Sequence, residues 1–379
     1  MQLITMNEII KRIKAWEAGQ ASGPVTIQLN PTDRCNLKCM FCWQRDESRV
    51  NYENEMTEDR YLTLINDAHS LGVKKITITG GGEPFCRTVT CLKTMMKIKA
   101  HEIEGSLITN GTMFTEKNVK DIIHMGWDEV IISLDSSKRE MHDYLRQSIG
   151  AYNKTIHAIK LFNQYKKIYD TTLPKICIHY VLCNKNYQDI PELIELAHDT
   201  GIQNIFLEPI VSVTVTTNIV ESLKLNKQQQ DELPGYIKKA LKLCNKYHIE
   251  NNLESLQPHL IGKVNKMRDV IMKPGNPSKN SPELFSAPCY EPWYNMIIRP
   301  NGRVGPCCMF DFSGEYCHNK SLSEIWYGDY FTKVRASLLR KELPSYCSNC
   351  NPSQIVNNER IRKTLLESSD GEECFIENT

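Results

Sequence analysis

At 379 residues the chain exceeds one average domain and has room for a large domain plus a smaller one. Hydrophobic residues make up 41% and charged residues 24%, an ordinary balance for a folded globular protein, and the formal net charge is +1. That charge gives no whole-chain electrostatic case for nucleic acid, and no apolar run reaches the ~18 residues of a membrane span.

The N-terminus, MQLITMNEIIKRIKAW, lacks a secretory apolar core and reads as an amphipathic helix with Ile9, Ile10, Ile13 and Trp16 on one face. Fifteen cysteines without an export signal place the chain in a reducing, cytoplasmic setting. There, clustered cysteines favour metal or redox chemistry over disulfides, and an odd number cannot pair completely within one chain. Short apolar strands then alternate with helices. Strands are expected at 25–30, 75–79, 106–110, 129–135, 175–182 and 204–210. Between them, Thr57 caps a helix to Ser70 with Leu62, Ile65 and Ala68 inward, and Thr115 opens another. Helices from Tyr152 to Asp170 and from Asp189 to Asp199 follow. Such alternation means a parallel sheet with helices outside, and six units make a partial barrel or an open sheet. Polar residues fall just after the strands, where parallel α/β folds place their sites: the cysteine loop, a Gly-rich turn, Asn110, Asp135, Asn184 and Glu208. A helical stretch from Asn226 to His248 is expected to break or kink at Pro234-Gly235. Residues 273–288, rich in proline, read as a boundary. The residues after Thr364 read as a polar tail, where Cys374 has no chemical role.

Two cysteine groups carry the chemistry. The first, DRCNLKCMFCW, sets Cys35, Cys39 and Cys42 in a C-x3-C-x2-C loop directly after the first strand. Soft thiolates select zinc, copper(I) or iron–sulfur clusters. A structural zinc site wants four protein ligands, whereas a cubane on three cysteines leaves one iron open for chemistry. TITGGGEPF follows the second strand; its glycines allow close backbone approach to a ligand, and Glu83 adds a carboxylate. In the second group, Cys289 and Cys307 bracket a hairpin turning at Asn301-Gly302, and CSNC supplies Cys347 and Cys350. Spacing alone leaves zinc and iron–sulfur open for this four-thiolate set.

The strand, the C-x3-C-x2-C loop and the GGEP turn together resemble the radical S-adenosylmethionine (SAM) superfamily. The resemblance spans roughly residues 25–210, and SLDSSKREMHDYLR (133–146) resembles a further segment of that family. It implies that Cys35, Cys39 and Cys42 bind a [4Fe-4S] cluster whose fourth iron is chelated by SAM. Reductive cleavage of SAM then yields a 5′-deoxyadenosyl radical that abstracts hydrogen from the substrate. Gly81, Gly82, Glu83 and Pro84 would hold the SAM amino group, Phe41 would pack near the adenine, and Ser133 would meet SAM's polar part. Arg146 would pair with its carboxylate; Asn110 and Asp135 are further candidate SAM contacts. Here Ser136 and Gln147 stand where the family usually has glycine. Residues 285–355 resemble the auxiliary-cluster extension called SPASM in its longer form and twitch in its shorter one. That implies a second [4Fe-4S] cluster on Cys289, Cys307, Cys347 and Cys350, with Cys308 the competitor of Cys307.

The expected fold is α/β, a partial (β/α)6 TIM-like barrel with a small C-terminal α+β cluster-binding domain made of a β-hairpin plus helix. The divisions are an N-terminal helical extension at 1–24, the barrel at 25–225, a helical linker at 226–284, the cluster domain at 285–355 and a tail at 356–379. A fully ligated second cluster suits electron transfer to or from a substrate radical, as in dehydrogenation, dehydration or epimerisation. About 24 residues before the first strand, too few for a peptide-recognition domain, favour a small polar substrate such as a sugar, aminocyclitol or nucleotide sugar. A ribosomally made peptide is the alternative substrate, and a SAM-binding iron–sulfur protein without turnover is the alternative outside enzymes. A flavodoxin- or ferredoxin-type electron donor is implied; membrane and nucleic-acid partners are not expected. Cys308, Cys317 and Asp311 are candidate catalytic groups, with Glu208, Tyr290 and His179 as candidates by position, while Cys86, Cys91, Cys177, Cys183 and Cys244 read as packing residues.

Overall fold

The computed structural model describes residues 3–45, 54–210, 218–256, 283–310 and 313–367. An N-terminal helix, α1 (Leu3–Glu17), precedes the repeating units. β1 (Thr26–Leu29) leads through the cysteine loop to α2 (Glu58–Ser70), β2 (Lys75–Ile78) to α3 (Thr88–Ala100), and β3 (Glu104–Thr109) to α4 (Glu116–His124). β4 (Glu129–Ser133) is followed by α5 (Arg139–Arg146) and α6 (Ala151–Ile168), β5 (Lys175–Leu182) by α7 (Ile190–Asp199), and β6 (Asn204–Pro209) by α8 (Asn218–Ser222) and α9 (Lys227–Tyr247). The six expected units are all present. A short β7 (Glu250–Asn251) then leads toward the C-terminal part: α10 (Glu291–Tyr294), β8 (Asn295–Ile298), β9 (Arg303–Gly305), β10 (Glu315–Tyr316), α11 (Leu322–Trp326), α12 (Asp329–Leu339) and α13 (Pro352–Glu367).

All ten strands share one sheet in the order β10-β9-β8-β1-β2-β3-β4-β5-β6-β7. β1 to β7 run parallel, β8 adds in parallel on the free edge of β1, and β9 and β10 continue antiparallel. Among the described residues the sheet does not close on itself, as a partial barrel requires. The C-terminal hairpin is therefore stitched onto the barrel: Thr26 faces Asn295 in register, and Leu29 faces Ile298.

Period-two alternation sorts the side chains. Ile27, Leu29, Ile76, Ile78, Ile178, Tyr180, Leu182, Ile205 and Leu207 are buried against the helices. The opposite, inner face carries Thr26, Gln28, Lys75, Thr77, Ser133, His179, Phe206 and Glu208. At the strand beginnings Lys75 ties the inner face together, 2.8 Å from Glu104 and 3.3 Å from Glu129. The carboxyl ends of the strands are left for the site.

Three local expectations differ. α2 is capped by Thr57, but its buried stripe is Tyr61, Leu64, Ile65 and Ala68, with Leu62 only half-buried. α9 runs through Pro234 without ending there, begun by a capping box between Asn226 and Gln229. The residues expected to begin a tail at 356 instead continue α13 to Glu367. Ile361 and Leu365 are buried there in a second core with Met6, Ile9, Ile13, Tyr290 and Trp293, so α1 and α13 pack together. An apolar stripe this short carries a weak signal without its partner helix. Residues 257–282 of the linker, together with Asp311 and Cys374, lie outside the described residues. No described helix is long and apolar enough to cross a membrane.

Candidate SAM and iron–sulfur sites

The loop after β1 is held from three sides. Gly82 N–H donates to the Thr32 carbonyl and Glu83 N–H to the Arg34 carbonyl, both at 2.8 Å. Glu55 Oε1 accepts from the Thr32 hydroxyl at 2.6 Å and from Asp33 N–H at 2.8 Å. Met40 N–H donates to the Leu145 carbonyl at the end of α5. The glycine turn thus approaches the cysteine loop itself. A Cβ on Gly82 would stand 2.0 Å from the Arg34 carbonyl oxygen, and one on Gly81 would stand 1.9 Å from Asp33 Oδ1.

Glu83 is the clasp beneath this loop. Its Oε1 accepts from the Thr109 hydroxyl at 2.7 Å and from Phe85 N–H at 3.2 Å, and its Oε2 accepts from Asn110 N–H at 2.7 Å. Burial raises its pKa above the usual carboxylate range, against the pull of those donors. Pro84 starts the short turn that follows and is buried. Asn110 Nδ2 donates to Asn36 Oδ1 at 2.9 Å, and Asn36 Nδ2 donates to the Thr112 hydroxyl at 2.8 Å. Asn36 and Glu55 are loop-holding residues that sequence reading missed. Each is an ordinary polar residue whose role depends on chain folded far from it.

Arg146 is buried at the end of α5. Its Nε forms an ion pair with Asp135 Oδ2 at 2.6 Å, and its Nη1 lies 3.6 Å from Cys39 Sγ. Its guanidinium stands 5.5 Å from the centre of the Phe41 ring. Asp135 Oδ1 accepts from Val181 N–H at 3.0 Å, and Asp135 N–H donates to His142 Nδ1 at 3.1 Å. A fully buried Asp135 is thereby a structural anchor for Arg146, and Arg146 is charge support for the Cys39 sulfur. Ser133 is buried at the end of β4, in register with His179 on β5.

Burial pushes the Cys35 thiol up to about 12, and the charges of Cys39, Glu83 and Cys42 add to the rise. Cys35 thus lies within electrostatic reach of both Cys39 and Cys42, and the three form a set of soft sulfur donors. That donor chemistry fits an iron–sulfur cluster.

The second group is gathered as expected. Cys289, Cys307, Cys347 and Cys350 line one cavity, and Cys308 does not line it. Burial, then neighbouring charge, lifts Cys289, Cys307 and Cys350 well above the ordinary thiol value, so these four also fit an iron–sulfur cluster. Among the described residues no three His, Cys, Asp or Glu side chains converge on a single metal ion.

The remaining candidates separate. Cys308 is exposed, whereas Cys317 is buried with its sulfur 3.6 Å from that of Met56, a packing position. Tyr290 is buried and its hydroxyl donates to the Phe285 carbonyl at 2.5 Å, also a structural role. Cys91, Cys177, Cys183 and Cys244 are buried, and Cys86 is half-buried. On the inner face His179 Nε2 lies 3.3 Å from Glu208 Oε2, and the Ser353 hydroxyl at the start of α13 donates to Glu208 Oε1 at 2.6 Å. Burial works to raise the Glu208 pKa, but the bonds from His179, Ser353 and Asn351 outweigh it and keep the carboxyl below its usual range.

Comparison with known proteins fits this geometry. The Radical SAM superfamily model matches residues 29–197, and an iron–sulfur cluster-binding domain model, SPASM, matches residues 289–351. The chain therefore belongs to the radical SAM superfamily. It is an enzyme of that superfamily with a C-terminal SPASM domain, and its cofactors are SAM and iron–sulfur clusters. The GTP 3′,8-cyclase of Clostridium perfringens is 28% identical over 295 residues, covering 74% of this chain and 84% of that protein. The tungsten-containing aldehyde ferredoxin oxidoreductase cofactor-modifying protein of Pyrococcus furiosus is 26% identical, covering 86% of each chain. Among solved structures, Streptococcus suis SuiB bound to precursor peptide SuiA superposes with a TM-score of 0.66 at 20% identity, covering 86% of this chain and 70% of that one. Native anSMEcpe with bound AdoMet gives 0.59 at 13% identity, covering 92% and 100%. At those identities the structures establish the shared fold.

Proposed function

We propose that this enzyme uses SAM to abstract hydrogen from a small polar substrate of the sugar, aminocyclitol or nucleotide-sugar kind, bound on the inner face of the sheet. The observation that carries the reading is the polar group at the carboxyl ends of β4 to β6: Ser133, His179 and Glu208, joined by Ser353 from the C-terminal part. Cys35, Cys39 and Cys42 are the residues to hold the cluster that binds SAM, and Cys289, Cys307, Cys347 and Cys350 the auxiliary one. Bound there, SAM and the first cluster would supply reductive radical hydrogen abstraction, and the auxiliary cluster one-electron chemistry.

The chain's own residues orient and shield this chemistry. Glu83 and Glu55 fix the backbone of the cysteine loop. Arg146, held by Asp135, puts a positive charge beside Cys39 and one face of Phe41. Glu208, ionised and already accepting from Ser353, has capacity left for a substrate hydroxyl or ammonium donor. The relatives named as GTP 3′,8-cyclases support a small substrate. The fold shared with SuiB, solved with a precursor peptide, supports the second reading, a ribosomal peptide. A flavodoxin- or ferredoxin-type protein is the proposed electron donor.

The test is transfer of deuterium into 5′-deoxyadenosine from deuterated substrates in the reduced, reconstituted enzyme. Label arriving from a polyol or aminosugar supports the proposal; label arriving only from a peptide overturns it. In Glu208→Gln, substrate turnover is expected to fall ~10- to 100-fold while substrate-free SAM cleavage persists, as for loss of one charged hydrogen bond.

A further inference from the structure

The cavity bounded by the four C-terminal thiols has a feature that ligation does not explain. Arg362, on α13, lines it together with Cys289, Cys307, Cys347 and Cys350. The residue is only 8% exposed. Its Nη2 donates to the Ala287 carbonyl at 2.9 Å and the Pro288 carbonyl at 3.4 Å, just ahead of Cys289. Its guanidinium carbon lies 5.7 Å from the centre of the Tyr290 ring. Its Nε, fully buried, has no hydrogen-bond acceptor among the described residues.

A buried guanidinium N–H without an acceptor is costly, and a buried cation without a counter-charge more so. Two carboxylates border the cavity, and neither answers Arg362. Glu291 has its oxygens taken by the Tyr294 hydroxyl and by Asn295 Nδ2, and Glu359 is exposed. Arg362 is the only cation among the described residues that line the cavity. One turn earlier on the same helix, Asn358 Oδ1 accepts from Tyr290 N–H at 2.7 Å. α13 thus grips the chain on both sides of Cys289, with Arg362 in the wall of the cavity that the four thiols line.

We propose that Arg362 sets the reduction potential of the auxiliary cluster. Its Nε–H donates a charge-assisted hydrogen bond to a sulfur of the cluster or of its cysteine ligands, and its charge favours the more negative, reduced state. Four thiolates around a cubane carry net negative charge, a counter-charge that no described residue lining the cavity gives the guanidinium. Cluster potentials respond to nearby charge, to hydrogen bonds on sulfur and to solvent exposure. At a buried site the effect of one charge is large. The assignment rests on the reading of the four cysteines as cluster ligands. It makes Arg362 a tuning residue, acting through the cluster and touching no substrate.

The test uses the full chain with Cys35, Cys39 and Cys42 changed to Ala, so that the auxiliary cluster alone contributes the reduced, paramagnetic signal. First, iron is counted: about four per chain is expected. A chain holding no cluster would overturn the auxiliary-site reading and this inference with it. Next, the protein is produced with arginine labelled at Nε with ¹⁵N, and the reduced cluster is examined by pulsed electron paramagnetic resonance. A ¹⁵N coupling is expected, lost in Arg362→Lys; a loaded cluster with no such coupling overturns the proposal. Finally, the midpoint potential is titrated. Arg362→Gln is expected to titrate lower than the parent, and Arg362→Lys closer to it. Equal potentials in parent and Arg362→Gln, at equal iron content, contradict the assignment. If the Gln variant cannot retain its cluster, the ¹⁵N coupling in the parent decides alone.

Discussion

Gly82 shows how tightly one residue is constrained. Its N–H bonds to one strand of the cysteine loop, and a methyl group there would meet backbone atoms of Arg34 and Asp33 at 2.0 to 2.7 Å. Backbone cannot swing aside as a side chain can. Gly82→Ala is therefore expected to displace the Cys35 loop and halve the iron bound on reconstitution, leaving the C-terminal cluster loaded. An overpacking cost of ~1–3 kcal/mol accompanies it, read as a lower urea midpoint. At Gly81 the nearest atom is the end of the Asp33 side chain, so Gly81→Ala is expected to be milder. Equal iron loading in Gly82→Ala and the unmodified protein would contradict this constraint. At this scale the sequence was readable where chemistry demands a rare residue. Packing alone does not call for three cysteines and three glycines at such fixed spacing. Arg146 stood out in the sequence, but its ion pair with Asp135 did not, because that pairing depends on a loop fold no spacing encodes. Arg362 and Ser353 left no trace, because an arginine and a serine on a helix are ordinary until the helix is docked.

Among the elements, α5 links protonation to the loop. His142 is buried and takes the Asp135 N–H on Nδ1 at 3.1 Å, so its neutral form is required. Burial first, and then the Arg146 charge, lowers its pKa from 6.5 to about 4. Between those values the unfolded chain binds a proton that the folded chain does not, so this contribution to stability is intact above pH 6.5 and is lost as pH falls toward 4. About 2 kcal/mol should be gone by pH 5. Urea unfolding at pH 7.5 and 5 measures it: His142→Asn, which keeps an acceptor but cannot titrate, should lose less stability on acidification than the parent. Identical losses in both would rule out His142 as the sensor. The βα units were legible because strand alternation and helix periodicity are local. α13 was missed because Ile361 and Leu365 share their core with Ile9 and Ile13 on α1, more than 340 positions away in the sequence.

Across the whole molecule, the two cysteine groups belong to one sheet. β8 pairs with β1, whose end carries the first cysteine loop, and β8 itself lies between Cys289 and Cys307. Glu208 on β6 is bonded to Ser353, three residues beyond Cys350, at the other end of the same inner face. The inner face proposed to bind substrate is thus framed by both cysteine groups, an arrangement suited to hydrogen abstraction on one side and electron transfer on the other. The fold class could be read from the sequence; the joining of the two cysteine groups through β8 and α13 could not, since a strand of four residues does not announce its neighbour. The central claim is that two separate clusters sit on two separate cysteine sets. Its most direct test is an iron count on anaerobically reconstituted protein, paired with an assay for 5′-deoxyadenosine after adding dithionite and SAM. Two clusters predict about eight irons in the unmodified protein and about four in the Cys35/Cys39/Cys42→Ala variant with 5′-deoxyadenosine abolished. About four irons in the unmodified protein and none in that variant would contradict the second cluster and the electron-transfer role built on it.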